Sequence, residues 1–486
     1  MSTRSLRFPI PDPFTGGMMP LILGFLAAAL AALFVLAPWG IGIICAIAIL
    51  VLSAIECTPF LLGVIFLIPV GWSAKISFPL GGGDARLDFA TTARLIVVLG
   101  FFMGRMLRGQ LDFKKLWKEP LTLGTFAVAG VAFASVILGG YGLTYGSVRA
   151  LVRLLSYIGF YLFLVLWVNS RQRLRTVAFM ILSSTILVAV FGIIQEIVGD
   201  YTTLWLYLNP PTELFLLMEH RVPSFLNYSN SLAGYLNLVL PFALAGCFLG
   251  KETWKKLSAW TLGLGAVTLA CTQSVGGLVA FGFMIVAAAY VFVKSRSKRV
   301  LLLVGMLVFA LGFYAARETL NPAHIGESVG YDAATRFLLW DTAWNLFVHS
   351  PIIGVGWGNF TEIYGSYLSS YSWIPPGVFE VHNIYLQFLA ETGLVGFTVF
   401  FLFIFHAWRR GLRQLRIAPD VFDKALAFGV LGAIITMLVH GFVDFLFQVS
   451  NQFGTLFWAL LALLIVSARL QGEVTGGSLG VSSTRG

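Results

Sequence analysis

Charge is what this sequence has least of. Asp, Glu, Lys and Arg make up 11% of its 486 residues, against roughly 25% in an ordinary soluble protein. A water-facing surface cannot be covered at that density, so a soluble globular domain is excluded. Cysteine is equally sparse. Cys45, Cys57, Cys247 and Cys271 lie far apart, in or beside apolar segments, with no Cys-x-x-Cys pair. That spacing excludes a disulfide scaffold and a thiolate metal cluster and makes all four small core residues. Heptads, soluble repeats and low-complexity linkers are missing as well, and only the Gly- and Ser-rich tail after Arg469 reads as disordered.

Long apolar runs are what the chain has instead. Apolar residues supply 58% of it, in stretches such as Leu21 to Ala37, Thr176 to Val198 and Leu301 to Ala316, and a spanning helix needs about 20. These runs do not alternate apolar with polar residues, which removes the closed β-barrel as the other way to cross lipid. The predicted fold is therefore all-α, a polytopic membrane protein of about 12–14 transmembrane helices. The spans fall at 20–37, 39–55, 59–72, 89–106, 120–140, 150–168, 176–198, 230–250, 258–274, 277–293, 300–316, 393–408, 425–445 and 452–468. The third is short and holds Pro69, which leaves open whether 59–72 spans or re-enters. Met1 to Pro20 is too polar for a cleaved leader, so the first apolar run is read as the first span.

The net charge of +10 suggests nucleic acid until its distribution is read. Most Lys and Arg sit at the termini or in alternate short loops: 105–118, 171–175, 251–256, 294–299 and 409–424. This is the positive-inside pattern, which puts those loops and both termini in the cytoplasm. The basic excess orients the protein and implies no nucleic-acid partner. Two connections are long, 199–229 and 317–392, and both fall on the external face, where long loops more often carry function. The second is rich in aromatics, among them Trp340, Trp344, Trp357, Tyr364, Tyr367, Tyr371, Trp373 and Tyr385. These fit either stacking on sugars or an interfacial aromatic belt.

The external loops hold few ionisable groups. Arg221 and Arg336 stand where orientation disfavours cations. Each is either a phosphate-binding fork or a snorkelling arginine paired with a carboxylate such as Glu219 or Asp341. Gly354-Val-Gly356-Trp-Gly358 lacks the context of a nucleotide loop and reads as a tight turn after Pro351. His349 reads as structural. His440 and Asp444 are expected four apart on one helix face near its external end. His382 is the candidate general base, because imidazole titrates near neutrality. The carboxylates are scattered, so no metal site and no cofactor is expected.

In order, these fragments are Arg221-x-x-Ser-x-Phe-x-Asn227-x-x-Asn230-x-x-Ala-x-Tyr235, Arg336-x-x-x-Trp340, His349-x-Pro351-x-x-Gly354-x-Gly356-x-x-x-Phe360, and His382-Asn383-x-x-Leu386 with Gly393 and Gly396. Together they resemble the O-antigen ligase and polymerase superfamily of bacterial membrane glycosyltransferases. The resemblance covers residues 176–468 and implies a lipid-donor, GT-C-like enzyme at the periplasmic face of the inner membrane. Residues 1–175 would then be N-terminal transmembrane helices, 176–468 the catalytic membrane region, and 469–486 a cytoplasmic tail.

By that resemblance, Arg221 and Arg336 bind the pyrophosphate of an undecaprenyl pyrophosphate-linked glycan. His382 activates or holds the acceptor, with Asn383, Asn230, His440, Asp444 and Arg153 in support. The reaction would invert the anomeric carbon without metal, passing the glycan to a lipid A-core or another glycan acceptor. The chain departs from many relatives where they carry Ser-Arg-Gly. Here the stretch reads Gln273-Ser274-Val275-Gly276-Gly277, so either that arginine is not needed or another external cation such as Arg153 or Arg94 takes its place. A ligase is the first reading and a polysaccharide polymerase the alternative. A flippase for lipid-linked oligosaccharide is the rival of another class.

Overall fold

A computed structural model describes residues 39–55, 57–69, 76–80, 83–87, 89–111, 119–199, 221–226, 228–301, 304–305, 328–368 and 380–480. In chain order the elements are α1 (Trp39–Ile55), α2 (Thr58–Phe66), the antiparallel hairpin β1 (Ile76–Leu80) and β2 (Gly83–Leu87), α3 (Phe89–Leu107), α4 (Pro120–Leu138), α5 (Tyr145–Trp167) and α6 (Arg171–Val198). There follow α7 (Ser229–Leu249), α8 (Glu252–Cys271), α9 (Val275–Phe292), α10 (Ser328–His349), α11 (Phe360–Tyr367), α12 (Ile384–Ile417), α13 (Val421–His440), α14 (Leu446–Val449) and α15 (Asn451–Gly480). Among the described residues the architecture is helical apart from the one hairpin. Among the described residues eight helices are long and apolar enough to cross a membrane: α4 to α7, α9, α12, α13 and α15.

Local sequence sets the ends of these helices. Thr144 and Ser147 close a capping box at the start of α5, and the Ser170 and Asp420 side chains cap α6 and α13. Gly199 takes the left-handed conformation that ends α6. At the centre α7, α13 and α15 are apolar almost all round and buried by their neighbours, as interior helices of a bundle are.

The basic loops gather at one end of the bundle and are tied down there. Arg171 pairs with buried Asp423, Arg175 with Asp420 at 2.9 Å, and Arg410 with Glu119 at 3.2 Å. Arg469 donates to the carbonyls of Val165 and Val168. Arg221, Arg336 and His382 lie at the opposite ends of these helices, so the alternation read from the sequence is a real two-ended arrangement.

Three expectations change. The apolar stretch 59–72 is helical only over the nine residues of α2, about 13 Å long and well short of a membrane core. Yet the Gly100 and Gly104 positions pack on Leu50, Ser53 and Ala54, and Arg108 donates to the Ala54 carbonyl. Contacts that rise together in both helices make α1 and α3 parallel. The tail predicted as disordered from Arg469 continues α15 to Gly480. The span expected at 425–445 stops at His440, so Asp444 is not on a helix face with it. The predicted spans 20–37 and most of 300–316 lie outside the described residues, as do Glu219, Asn227, Tyr371 and Trp373. Of the four cysteines, Cys57 is buried and Cys247 and Cys271 are half-buried.

Candidate functional site

Among the described loop aromatics, Trp344 and Tyr367 are exposed and others serve packing. Trp357 and Tyr364 are buried, with Trp357 5.2 Å from the Phe388 ring and Tyr364 stacked on Phe360. Their helices carry a framework built on glycine. Gly354, Gly356 and Gly358 all have positive φ, as a tight turn predicts. The turn lies against α12 at its break, where Gly393 adopts φ 60°, ψ −166°. Across this seam Val355 N–H donates to the Ala390 carbonyl, Gly356 N–H to Glu391, and Leu394 and Val395 N–H to Pro351 and Ile352. A broken helix needs outside partners for its released backbone groups, and the turn supplies them.

The upper half of α12 thereby holds His382 and Asn383 in place. Asn383 is the N-cap: its Oδ1 accepts from the N–H groups of Tyr385 and Leu386 at 2.9 and 3.0 Å, and its Nδ2 donates to the Phe442 carbonyl at 3.1 Å. Ile384 N–H donates to the Gly441 carbonyl at 2.7 Å. These bonds fasten α12 to residues 441–444. His382 itself has φ +53°, a strained setting for a non-glycine residue that tends to occur at functional positions.

Asp444 is the partner so presented. His382 Nδ1 lies 3.4 Å from its Oδ1, with the imidazole side chain 24% exposed and the carboxylate 4%. Burial pushes the Asp444 carboxyl up. The hydrogen bond and charge of His382, with the charges of His440 and Arg336, outweigh that and hold it well below the usual carboxylate range. An ionised Asp444 that accepts from Nδ1–H leaves Nε2 as the basic nitrogen of His382.

Both arginines reach the same place by backbone anchors. Arg221 donates from Nε to the Thr272 carbonyl at 2.9 Å and from Nη2 to Asn230 Oδ1 at 2.8 Å. Arg336 donates from Nη1 to the Val443 carbonyl at 2.8 Å, next to Asp444 in the chain. The charges acting on His440 are those of Asp444, Arg336 and Arg221. Of the residues expected in the site, Arg221, Asn230, Arg336, His382, Asn383, His440 and Asp444 therefore meet in one polar cluster, at the ends of α7, α8, α9, α12 and α13 and beside Arg336 within α10.

Arg153 lines another space, a cavity of about 20 Å³ with Tyr157, Trp357, Phe388, Phe447 and Trp458 among its walls. Arg94 is buried nearby and donates to Ser156 Oγ at 3.2 Å. Neither is among the charges that act on His440. His349 Nδ1–H donates to the Asn345 carbonyl of its own helix at 2.8 Å, as a structural residue would.

Thr272 and Ser274, which anchor Arg221 and meet His440, were not legible as site residues, because a backbone carbonyl and a helix cap leave no distinctive sequence mark. Among the described residues no three of His, Cys, Asp and Glu gather as a metal site.

The chemistry of such a cluster is specific. Two anchored guanidinium groups suit a phosphate or pyrophosphate, and an imidazole oriented by a buried carboxylate suits proton abstraction from a hydroxyl. No curated protein matches the chain. The family model described as O-antigen ligase matches residues 260–401, a stretch that holds Arg336, the glycine turn, His382 and Asn383. That stretch, from within α8 to within α12, is similar to the O-antigen ligase family.

Proposed function

We propose that the protein is a glycosyltransferase of the bacterial inner membrane, moving a glycan from undecaprenyl pyrophosphate to an acceptor hydroxyl at the periplasmic face. The observation that carries this reading is the meeting of the His382–Asp444 pair with Arg221 and Arg336 at the bundle end opposite the basic loops. His382 Nε2 takes the acceptor proton as the oxygen bonds to the anomeric carbon. The bond from that carbon to the phosphate oxygen breaks in the same displacement, which inverts the centre. Pyrophosphate leaves with its charge facing the two arginines, preorganised cations that need not rearrange as the charge develops. Asp444 stabilises the imidazolium.

The donor carries its own activated leaving group and the arginines supply fixed positive charge, so the reaction is proposed to run without metal. The test is purified protein in vesicles with a lipid-linked glycan and no nucleotide or ion gradient. Glycan should transfer, and continue to transfer in excess chelator. Movement of intact donor across the bilayer without transfer would instead mark a flippase, and activity restored only by magnesium or manganese would overturn the metal-free mechanism. Offering lipid A-core and a second lipid-linked glycan side by side separates the ligase, which is the first reading, from a polymerase.

A further inference from the structure

His440 closes α13 within the cluster and is 2% exposed. Its Nε2 lies 3.5 Å from Ser274 Oγ. That oxygen already accepts from Gly277 N–H as the cap of α9, and among the described residues the Ser274 hydroxyl proton has one acceptor, His440 Nε2. With the Ser274 hydroxyl donating to Nε2, Nδ1 carries the hydrogen. Nδ1 is buried and has no hydrogen-bond partner among the described residues. Buried donors are as a rule paired, so an orphan in a well-packed place calls for a ligand.

The ring cannot swing toward α9 to find one. A Cβ at Gly276 would meet His440 Cδ2 at 2.9 Å and Val443 Cγ2 at 2.4 Å, so the absence of a side chain there is what lets the imidazole fit. Around it stand the carboxylate of Asp444, which follows α13, and the guanidinium groups of Arg336 from α10 and Arg221 from the segment before α7. A fixed N–H donor among two cations and one carboxylate, itself paired to His382, sits in a net positive place that suits an anion.

We propose that His440 Nδ1–H is a third hydrogen-bond donor to the diphosphate, completing the site begun by Arg221 and Arg336. The proposal rests on the pyrophosphate-donor reading above. His440 is a binding residue for the leaving group, distinct from His382 at the acceptor.

Amide side chains separate this role from packing. In His440→Asn the amide nitrogen falls where Nδ1 was. In His440→Gln it falls where Nε2 was, against Ser274. Binding of glycan-free undecaprenyl pyrophosphate to full-length protein should weaken about 10-fold or more in His440→Gln and His440→Phe, the scale of a hydrogen bond to a charged group. His440→Asn should stay close to wild type. Inorganic pyrophosphate should give the same ranking, because the contact is to the anion, and a ranking confined to the lipid overturns the phosphate contact. Equal affinities, or Gln retaining what Asn loses, assign His440 to the Ser274 side and overturn the proposal.

Melting temperatures in detergent identify any variant that unfolds. Ser274→Ala then gives the second arm: it unfixes the tautomer and should weaken binding about threefold, whereas unchanged binding counts against the proposal. Wild-type protein that binds no undecaprenyl pyrophosphate sinks the functional reading itself. Wild-type binding lost in Arg336→Ala, with the Asn and Gln order reversed, sinks only this inference.

Discussion

Asp444 is buried and still ionised, and the groups around it decide that. Burial opposes its charge, while His382, His440 and Arg336 favour it. A carboxyl held below its ordinary value of 3.8 stabilises the fold at every pH above that value, and the benefit is lost only as pH falls through the lower folded-state value. The melting-temperature gap between wild type and Asp444→Asn should therefore stay constant from about pH 8 to about pH 5 and narrow only below about pH 4. A gap that closes between about pH 7 and pH 5 would assign the effect to histidine titration.

The same variant should slow transfer about 10²-fold or more while donor binding persists, because the imidazole loses its orienting charge. His382→Ala should slow transfer about 10²–10⁴-fold with donor binding intact. Arg336→Lys should lose donor affinity although the charge remains, since an ammonium lacks the planar fork. Normal transfer in the first, or normal affinity in the second, removes that residue from its role. His382, Arg336 and Arg221 stood out by residue type and position, but their roles came only from the family resemblance, and the structure adds that they meet in one cluster. The His382–Asp444 pairing was not legible, because helical periodicity assigned Asp444 to His440 and only the end of α13 at His440 releases it to reach His382.

At the scale of elements, the seam between the glycine turn and the break in α12 holds the site. Periodicity found α12 and composition found the turn, but neither shows that one satisfies the other's backbone groups, which requires contacts about 40 residues apart in the chain. The sequence reading nonetheless began the span at Gly393, where the helix breaks, since the apolar run starts there. Gly393 has a conformation open in practice only to glycine, and a Cβ would lie 2.3 Å from the Ile352 carbonyl carbon. Gly393→Ala should lower stability by more than about 2 kcal/mol and reduce transfer by displacing His382. Gly130→Ala in α4, where nothing lies within 4 Å, is the matched control and should be neutral or stabilising by up to about 1 kcal/mol. Thermal melts of the two proteins in one detergent compare them, and equal melts would mean that the seam relaxes around a methyl group.

Over the whole molecule, the two chemically distinct ends make a statement about sidedness that can be measured. Positive charge alternates along the sequence and collects at one end of the bundle, where Arg171, Arg175, Arg410 and Arg469 fasten α6, α12, α13 and α15. The gathering of basic loops at one end was readable because it is written in loop charge, independent of packing. Whether 59–72 spans or re-enters was not, because a short apolar stretch holding a nine-residue helix gives the same hydropathy signal either way. The prediction follows from the charge. Lys298 follows α9 in a basic loop and Asn345 is exposed on α10, so the first faces the cytoplasm and the second the periplasm. Single cysteines at 298 and 345, in a background without the four native ones, should divide under an impermeant thiol reagent, with 345 labelled in intact cells and 298 only after lysis. Labelling of 298 in intact cells with 345 protected would put the Arg221–Arg336–His382 cluster in the cytoplasm. The basic end would then face outward, against the charge rule that orients every other feature of the chain.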